Sequence, residues 1–233
     1  FMTELLRLKD VEKSFTLHNQ DGITLPVFKG LTMQAHAGEC VALAGPSGMG
    51  KSTLMRMIYG NYLCQGGQVE VLHKGDWVDI AKANARDILQ VRRWTLGYIS
   101  QFLRVVPRVS TLNVVAEPLI MRGVDGGTAR DQAAAMLTKV NLPESLWHLA
   151  PATFSGGEQQ RVNIARGFVA DYPVMLLDEP TASLDQTNRE AVLDLIRTSK
   201  AAGRALVGIF HDADTRAAVC DREFSIGDFK VSA

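Results

Sequence analysis

Apolar and polar positions alternate through residues 5–15, with Leu6 and Leu8 on one face, and again through Ile23, Leu25 and Val27. Between these stretches Asp21-Gly22 is a hairpin-turn dipeptide, so the chain is predicted to open with antiparallel strands. The period of two gives way at Cys40-Val41-Ala42-Leu43-Ala44, a short continuous apolar run that predicts a buried strand. From Ser52 to Tyr59 the apolar spacing becomes helical, and the two segments are separated by a glycine-rich stretch. Strands predicted at 69–72 and 77–80 flank the turn Lys74-Gly75-Asp76, and 96–99 reads as another short strand. Residues 111 to about 149 turn helical, with breaks expected at Gly123, Gly126-Gly127 and Pro143. A helix over 157–169, a strand at 174–177, a helix through 191–201 and a strand at 205–209 complete the pattern.

Short strands alternating with helices predict an α/β fold, with a mainly parallel core sheet covered by helices on both faces. An antiparallel β subdomain precedes it, and a helical subdomain at about 102–154 interrupts the alternation without a linker of its own. At 233 residues the chain fits one large domain, taken as 2–233. Phe1, standing before Met2, is expected to be an added residue.

Composition narrows the function classes. Hydrophobic residues make up 46% and charged residues 21%, an ordinary globular balance that excludes a long disordered tract. Lys+Arg 25 against Asp+Glu 25 leaves no overall charge that calls for nucleic acid or an anionic membrane. No apolar run reaches the roughly 20 residues that span a bilayer, and no signal-peptide pattern opens the chain, so a cytoplasmic protein without direct membrane insertion is expected. Cys40, Cys64 and Cys220 form no CxxC pair and read as free, reduced thiols.

The glycine-rich stretch Gly45, Pro46, Ser47, Gly48, Met49, Gly50, Lys51, Ser52, Thr53 fits G-x-x-x-x-G-K-[ST] at every defined position, between a predicted strand and a predicted helix. Phosphate needs convergent donors free of side-chain obstruction. Glycines let backbone N–H groups curl around it, and the following helix contributes its positive end. Lys51 supplies a cation for the outer phosphates, and the Ser52 hydroxyl suits Mg2+, a hard ion that keeps most of its waters. The bland alternative is a glycine turn that only closes a strand–helix unit. Val174-Met-Leu-Leu-Asp178-Glu179 places two carboxylates just past a buried strand, where open α/β sheets bind ligands. Beside a phosphate loop, Asp178 would hold Mg2+ through water and Glu179 would take the proton of an attacking water. Alone, such a pair reads as a turn or helix cap. Ser155-Gly156-Gly157-Glu158 reads in isolation as a helix start with a capping box.

The order of these segments, with Gln101 ahead of them and Asp185 and His211 after, resembles the ATP-binding cassette family of ATPases across nearly the whole chain. The resemblance implies a Mg2+-dependent ATPase. In it Ser155, Gly156 and Gly157 match the signature that binds the γ-phosphate held by a second protomer, which implies an ATP-dependent head-to-tail homodimer. Gln101 matches the loop glutamine that senses Mg2+ and the attacking water. His211 matches the switch histidine, Asp185 the dimer-contact loop, and Phe15 the aromatic that stacks on adenine. Phe154 stands where that signature usually has Leu, and Glu158 where it has Gln. A narrower resemblance lies at Gln101-Phe-Leu-Arg-Val-Val-Pro-Arg108, Trp147-His-Leu-Ala-Pro151, residues 154–162 and Gly208-Ile-Phe-His211-Asp. These are similar to the cassette subunit of the bacterial carbon–phosphorus lyase system, which implies a supporting role in a cytoplasmic complex that builds a ribose phosphonate triphosphate. The alternative is the nucleotide-binding subunit of a membrane transporter; a non-hydrolysing clamp is disfavoured by the presence of Glu179, Gln101 and His211. Arg104 and Arg108 around Pro107 read either as a docking loop or as a solvated basic face.

Overall fold

The structure, a computed structural model, describes residues 2–17, 23–104 and 107–231. Two sheets organise it. Strands β1 (Glu4–Leu17), β2 (Ile23–His36), β4 (Gly66–His73) and β5 (Asp76–Asp79) form an antiparallel sheet in the order β2-β1-β4-β5. Strands β3 (Cys40–Ala44), β6 (Leu96–Ile99), β7 (Val174–Asp178), β8 (Ala205–Ile209) and β9 (Arg222–Ser225) form a parallel sheet in the order β6-β7-β8-β3-β9. The expected α/β fold is the observed one. The dipeptide Asp21-Gly22, read as the turn between β1 and β2, lies outside the described residues, as do Val105 and Val106 of the segment after Gln101.

Strands β7 and β8 are buried along their whole length, and β3 and β6 nearly so, because they divide two cores, while β9 is the exposed edge. Val41, Leu43, Leu176 and Val207 point to the side where the antiparallel sheet packs Leu6, Leu8, Phe28 and Val71 around helix α1 (Lys51–Ile58). Cys40, Ala42, Met175, Leu177 and Leu206 point to the other side, against the helical subdomain and helix α6 (Gln186–Ala201). Period-two alternation thus persists here, hidden because both faces are apolar.

Helix α2 (Ala85–Trp94) is capped by Asn84, whose side chain accepts from Asp87 N at 2.9 Å. Val91 is its one buried residue; Ala85, Ile88, Val91 and Trp94 recur at helical spacing, a signal that the predicted elements leave out. In the helical subdomain, α3 (Thr111–Met121) packs on α4 (Gly126–Lys139) and α5 (Gly156–Phe168). Gly126 and Gly127 do not break the helical block as expected. They begin α4, because Asp125 caps it by accepting from the N–H groups of Gly127 and Thr128. Helix α7 (Ala213–Val219) and edge strand β9 follow β8, beyond the last element the pattern predicts. Glu39 anchors this edge. Burial alone would raise its pKa, but the Arg222 guanidinium at 2.6 Å and the His36 N–H at 2.9 Å hold it below the usual carboxylate range.

Candidate functional site

The carboxyl ends of β3, β7 and β8 meet at one edge of the parallel sheet, and the chain leaves β3 directly into the loop 45–50 ahead of α1. Gly50 occupies the helix N-cap with φ 94°, and a Cβ there would stand 2.6 Å from Val27 Cγ1. Only glycine fits both the conformation and the approach of β2. Gly45 and Gly48 also have positive φ, and the Met49 N–H donates to the Pro46 carbonyl at 3.3 Å, closing the loop on itself. Lys51 Nζ donates to the Gly45 carbonyl across the mouth of the loop. A cavity of about 430 Å³ opens beside it, walled by Ser47, Lys51, Thr53 and Phe15 and bounded by Glu179 and His211. Phe15 is half-exposed and stands edge-on to Tyr62, their ring centres 5.8 Å apart. Leu25 and Val27 extend the same apolar wall, so the exposed side chain of Leu25 belongs to the site.

Asp178 ends β7 almost fully buried, and its Oδ1 accepts from Ser52 Oγ at 3.4 Å while Oδ2 accepts from Tyr98 Oη at 3.3 Å. Burial, reinforced by the neighbouring Glu179 charge, pushes the Asp178 carboxyl above its ordinary value. Burial and the same aspartate push the Tyr98 phenol up to about 12, so it stays a donor. Ser52 Oγ and Asp178 Oδ1 form a pair of oxygen donors suited to a hard divalent cation. Glu179 has φ 53°, an uncommon conformation for a residue with a side chain, and its backbone N–H donates to the Ile209 carbonyl at 3.0 Å. That turn lifts its carboxylate off the strand and between two partners. Gln101 Nε2 donates to Oε2 at 3.1 Å, and His211 Nε2 lies 2.7 Å from Oε1. Since a carboxylate only accepts, Nε2 carries the proton of that contact.

Gln101, Glu179 and His211, scattered in sequence, therefore meet beside the phosphate-loop segment. The direct partner of Gln101 is Glu179, and its amide makes no hydrogen bond to Ser52 or Asp178 among the described residues. Ser155, Gly156 and Gly157 are not in this cluster. Ser155 N-caps α5 in a capping box with Glu158, accepting from the Glu158 N–H at 3.3 Å and donating its own N–H to the Glu158 carboxylate at 2.9 Å. Ser155 and Gly156 are exposed. Asp185 caps α6 by accepting from Asn188 N at 2.8 Å.

Several supports escaped sequence reasoning. The Arg216 guanidinium grips the carbonyls of Phe210 at 2.8 Å and His211 at 3.1 Å. Asn163 Nδ2 holds the Ser100 carbonyl at 2.7 Å, and Gln160 Nε2 holds that of Pro180 at 3.0 Å, fixing the backbone beside Gln101 and Glu179 from one helix. A second cavity of about 390 Å³ beside Gln101 draws Arg56, Arg92, Arg104 and Arg166 to its wall. These contacts come from residues of ordinary type at unremarkable spacings, so only the fold reveals them.

A family model described as "ABC transporter" matches residues 28–182, which span the phosphate loop, Ser155-Gly156-Gly157 and Asp178-Glu179. The chain belongs to the ABC transporter family. Its ATP-binding cassette is 36% identical over 223 residues to the lipoprotein-releasing system ATP-binding protein of Shewanella sp. (strain MR-4), covering 95% of this chain and 93% of that one. It is 35% identical over 227 residues to the macrolide export ATP-binding/permease protein of Brucella melitensis; the match takes in 97% of this chain but spans only 34% of that relative. Among solved structures it superimposes on the dimeric bacterial ABC transporter cassette MJ0796 with a TM-score of 0.86 at 27% identity, covering 96% and 95% of the two chains. A post-hydrolysis dimer of the same cassette bound to ADP and Pi gives a TM-score of 0.85 at 26% identity, covering 97% of this chain and 94% of that one. The relatives are named for lipoprotein release and macrolide export, and none of them supports the narrower expectation of a phosphonate-processing complex. Among the described residues no helix of the cassette is long and apolar enough to cross a membrane.

Proposed function

We propose that this cassette binds Mg2+-ATP between two head-to-tail copies and hydrolyses it to drive a membrane-embedded partner. The observation that carries the chemistry is the Glu179 carboxylate held by Gln101 and His211 beside the loop that bears Lys51 and Ser52. Gly45, Pro46, Ser47, Gly48, Met49, Gly50 and Thr53 supply the phosphate cradle, Lys51 the counter-charge at the outer phosphates, and Phe15 the face against adenine. Ser52 and Asp178 would hold the cation, and Gln101 would respond to it through Glu179; Mg2+, when bound, would offset negative charge on the phosphates. Glu179 takes the proton of the attacking water, and the two donors on its carboxylate keep it aimed. His211 also borders the cavity beside the phosphate loop, from which it would contact the γ-phosphate. Ser155, Gly156 and Gly157 would close the site of the opposite copy, a reading supported by the exposure of Ser155 and Gly156 and by the likeness to dimeric cassettes.

A membrane partner is supported by the names of the relatives, which are transport systems. The residues at Gln101, 102–108 and 147–151 favour a second reading, in which the cassette serves a cytoplasmic carbon–phosphorus lyase complex. Both share the same ATP chemistry. Sedimentation velocity of Glu179→Gln tests the shared part: Mg2+-ATP is expected to convert monomer to dimer, and a monomer at every protein and nucleotide concentration overturns it. Tagging the chain in its native cells and growing them on an alkylphosphonate as sole phosphorus source decides the partner. Recovery with an integral membrane permease supports the first reading; recovery from the cytosol with phosphonate-processing subunits replaces it with the second.

A further inference from the structure

Away from the nucleotide-facing edge, two thiols 180 residues apart in sequence face each other. Cys40 opens β3 and is fully buried, Cys220 follows α7 and is half-buried, and their sulfur atoms are 3.6 Å apart. The backbones around them are pinned. Cys40 N donates to Asp221 Oδ2 at 2.7 Å, and Asp221 N donates back to the Cys40 carbonyl at 2.9 Å. Lys200 Nζ, bonded to the Val219 carbonyl and to Asp221 Oδ1 at 2.9 Å each, places an ammonium beside Cys220. We propose that Cys40 and Cys220 form a redox modification site, which a peroxide closes to an intramolecular disulfide.

The chemistry divides between the two sulfurs according to their surroundings. Cys220 is the more accessible one, and the hydrogen bond from Cys40 together with the Lys200 charge favours its thiolate. Cys40, which donates that hydrogen bond from a buried position, is held as a thiol. The Cys220 thiolate attacks one peroxide oxygen; the O–O bond breaks, hydroxide leaves and takes up a proton as water, and Cys220 becomes a sulfenic acid. Cys40 then gives up its proton, its sulfur attacks the Cys220 sulfur, and the sulfenic oxygen departs as a second water. Two thiols and one hydrogen peroxide thus yield one disulfide and two waters, a two-electron oxidation. The sulfurs must close from 3.6 Å to about 2.05 Å, under 1 Å of travel each. Cys64 packs with the other core, on the antiparallel-sheet side, and serves as an internal control. Neither thiol belongs to the nucleotide site, so the inference stands apart from the proposed function. Its consequence is a covalent tie between the strand that feeds the phosphate loop and the helix that follows His211.

The test exposes the reduced full chain to hydrogen peroxide, alkylates the remaining thiols, and digests it without reductant for mass spectrometry. The expected product is a peptide pair joined through Cys40 and Cys220, two hydrogens lighter than the separate thiols and reopened by dithiothreitol, with Cys64 still alkylated. Closing so long a loop should raise Tm by on the order of 10 °C. Cys220→Ser should abolish both the cross-link and the rise, while Cys40→Ala should leave a Cys220 sulfenic acid that dimedone traps. If Cys40→Ala fails to fold, the cross-link and its loss in Cys220→Ser decide alone. Overoxidation of Cys220 with Cys40 still free, oxidation confined to Cys64, or an unchanged thiol count overturns the proposal.

Discussion

The phosphate-loop edge and the N-terminus of α5 are both glycine-bearing helix starts, yet the fold treats them in opposite ways. At the first, side chains from the β3, β6, β7 and β8 ends converge until the Glu179 carboxylate has a donor on each oxygen. At the second, Ser155 and Glu158 satisfy only each other and Gly156 faces open space. Gly157, one residue on, lies close to the Ser183 carbonyl, so the open surface at this helix start is confined to Ser155 and Gly156. The contrast teaches that the first region can be read from the contacts within one chain, whereas the role proposed for the second rests on a second copy.

The sharpest break of the first region is Glu179→Gln, which keeps the cradle and removes the carboxylate proposed as proton acceptor. Phosphate release should fall about 10²- to 10⁴-fold while equilibrium ATP binding persists. Gly156→Asp breaks the second region alone. A Cβ there meets nothing within 4 Å, and an acid suits the first turn of a helix, so Tm should hold or rise slightly. Set against the partner's nucleotide, that carboxylate should weaken ATP-dependent dimerisation of the Glu179→Gln background on the order of 10²-fold or more, read by sedimentation. Ser155→Ala separates capping from contact: loss of the cap should cost about 1 kcal/mol of stability. This is a drop of roughly 2–4 °C in Tm for a chain of this size.

The smallest effect concerns Asp178 without ligand. Its folded-state pKa is raised, so it contributes stability that is present below its unfolded value and lost as pH rises through the folded one. Asp178→Asn should therefore unfold at a higher temperature than the parent at neutral pH, with the gap closing in acid. Equal melting temperatures at pH 7 would remove the case for a burdened carboxylate.

The element order was legible because β3, β6, β7 and β8 are short apolar runs bounded by turns, and the phosphate-loop motif carries its own spacing. What stayed hidden had physical causes. Helix α2 is not hidden by its pattern, since Ala85, Ile88, Val91 and Trp94 keep helical spacing; it is short and buries only Val91, which makes its signal easy to pass over beside the longer helices. Gly126-Gly127 looked like a break because the Asp125 cap outweighs the glycine penalty only once the helix has α3 to pack on. Of the site, Glu179, Gln101 and His211 could be placed by order along the chain, but their meeting on one carboxylate could not. Arg216, Asn163 and Gln160 act through backbone carbonyls, which leave no mark in a sequence.

Helix α5 joins the two regions as a rod about 20 Å long. Its exposed end bears Ser155, while Gln160 and Asn163 further along grip the carbonyls of Pro180 and Ser100, next to Glu179 and Gln101. In the proposed two-fold pair, a push on the rod's tip by one nucleotide would arrive as strain in the loops that carry Glu179 and Gln101 at the other. The two sites would then be wired in series, each one's geometry set by the occupancy of its neighbour, and alternation between them would need no further moving part.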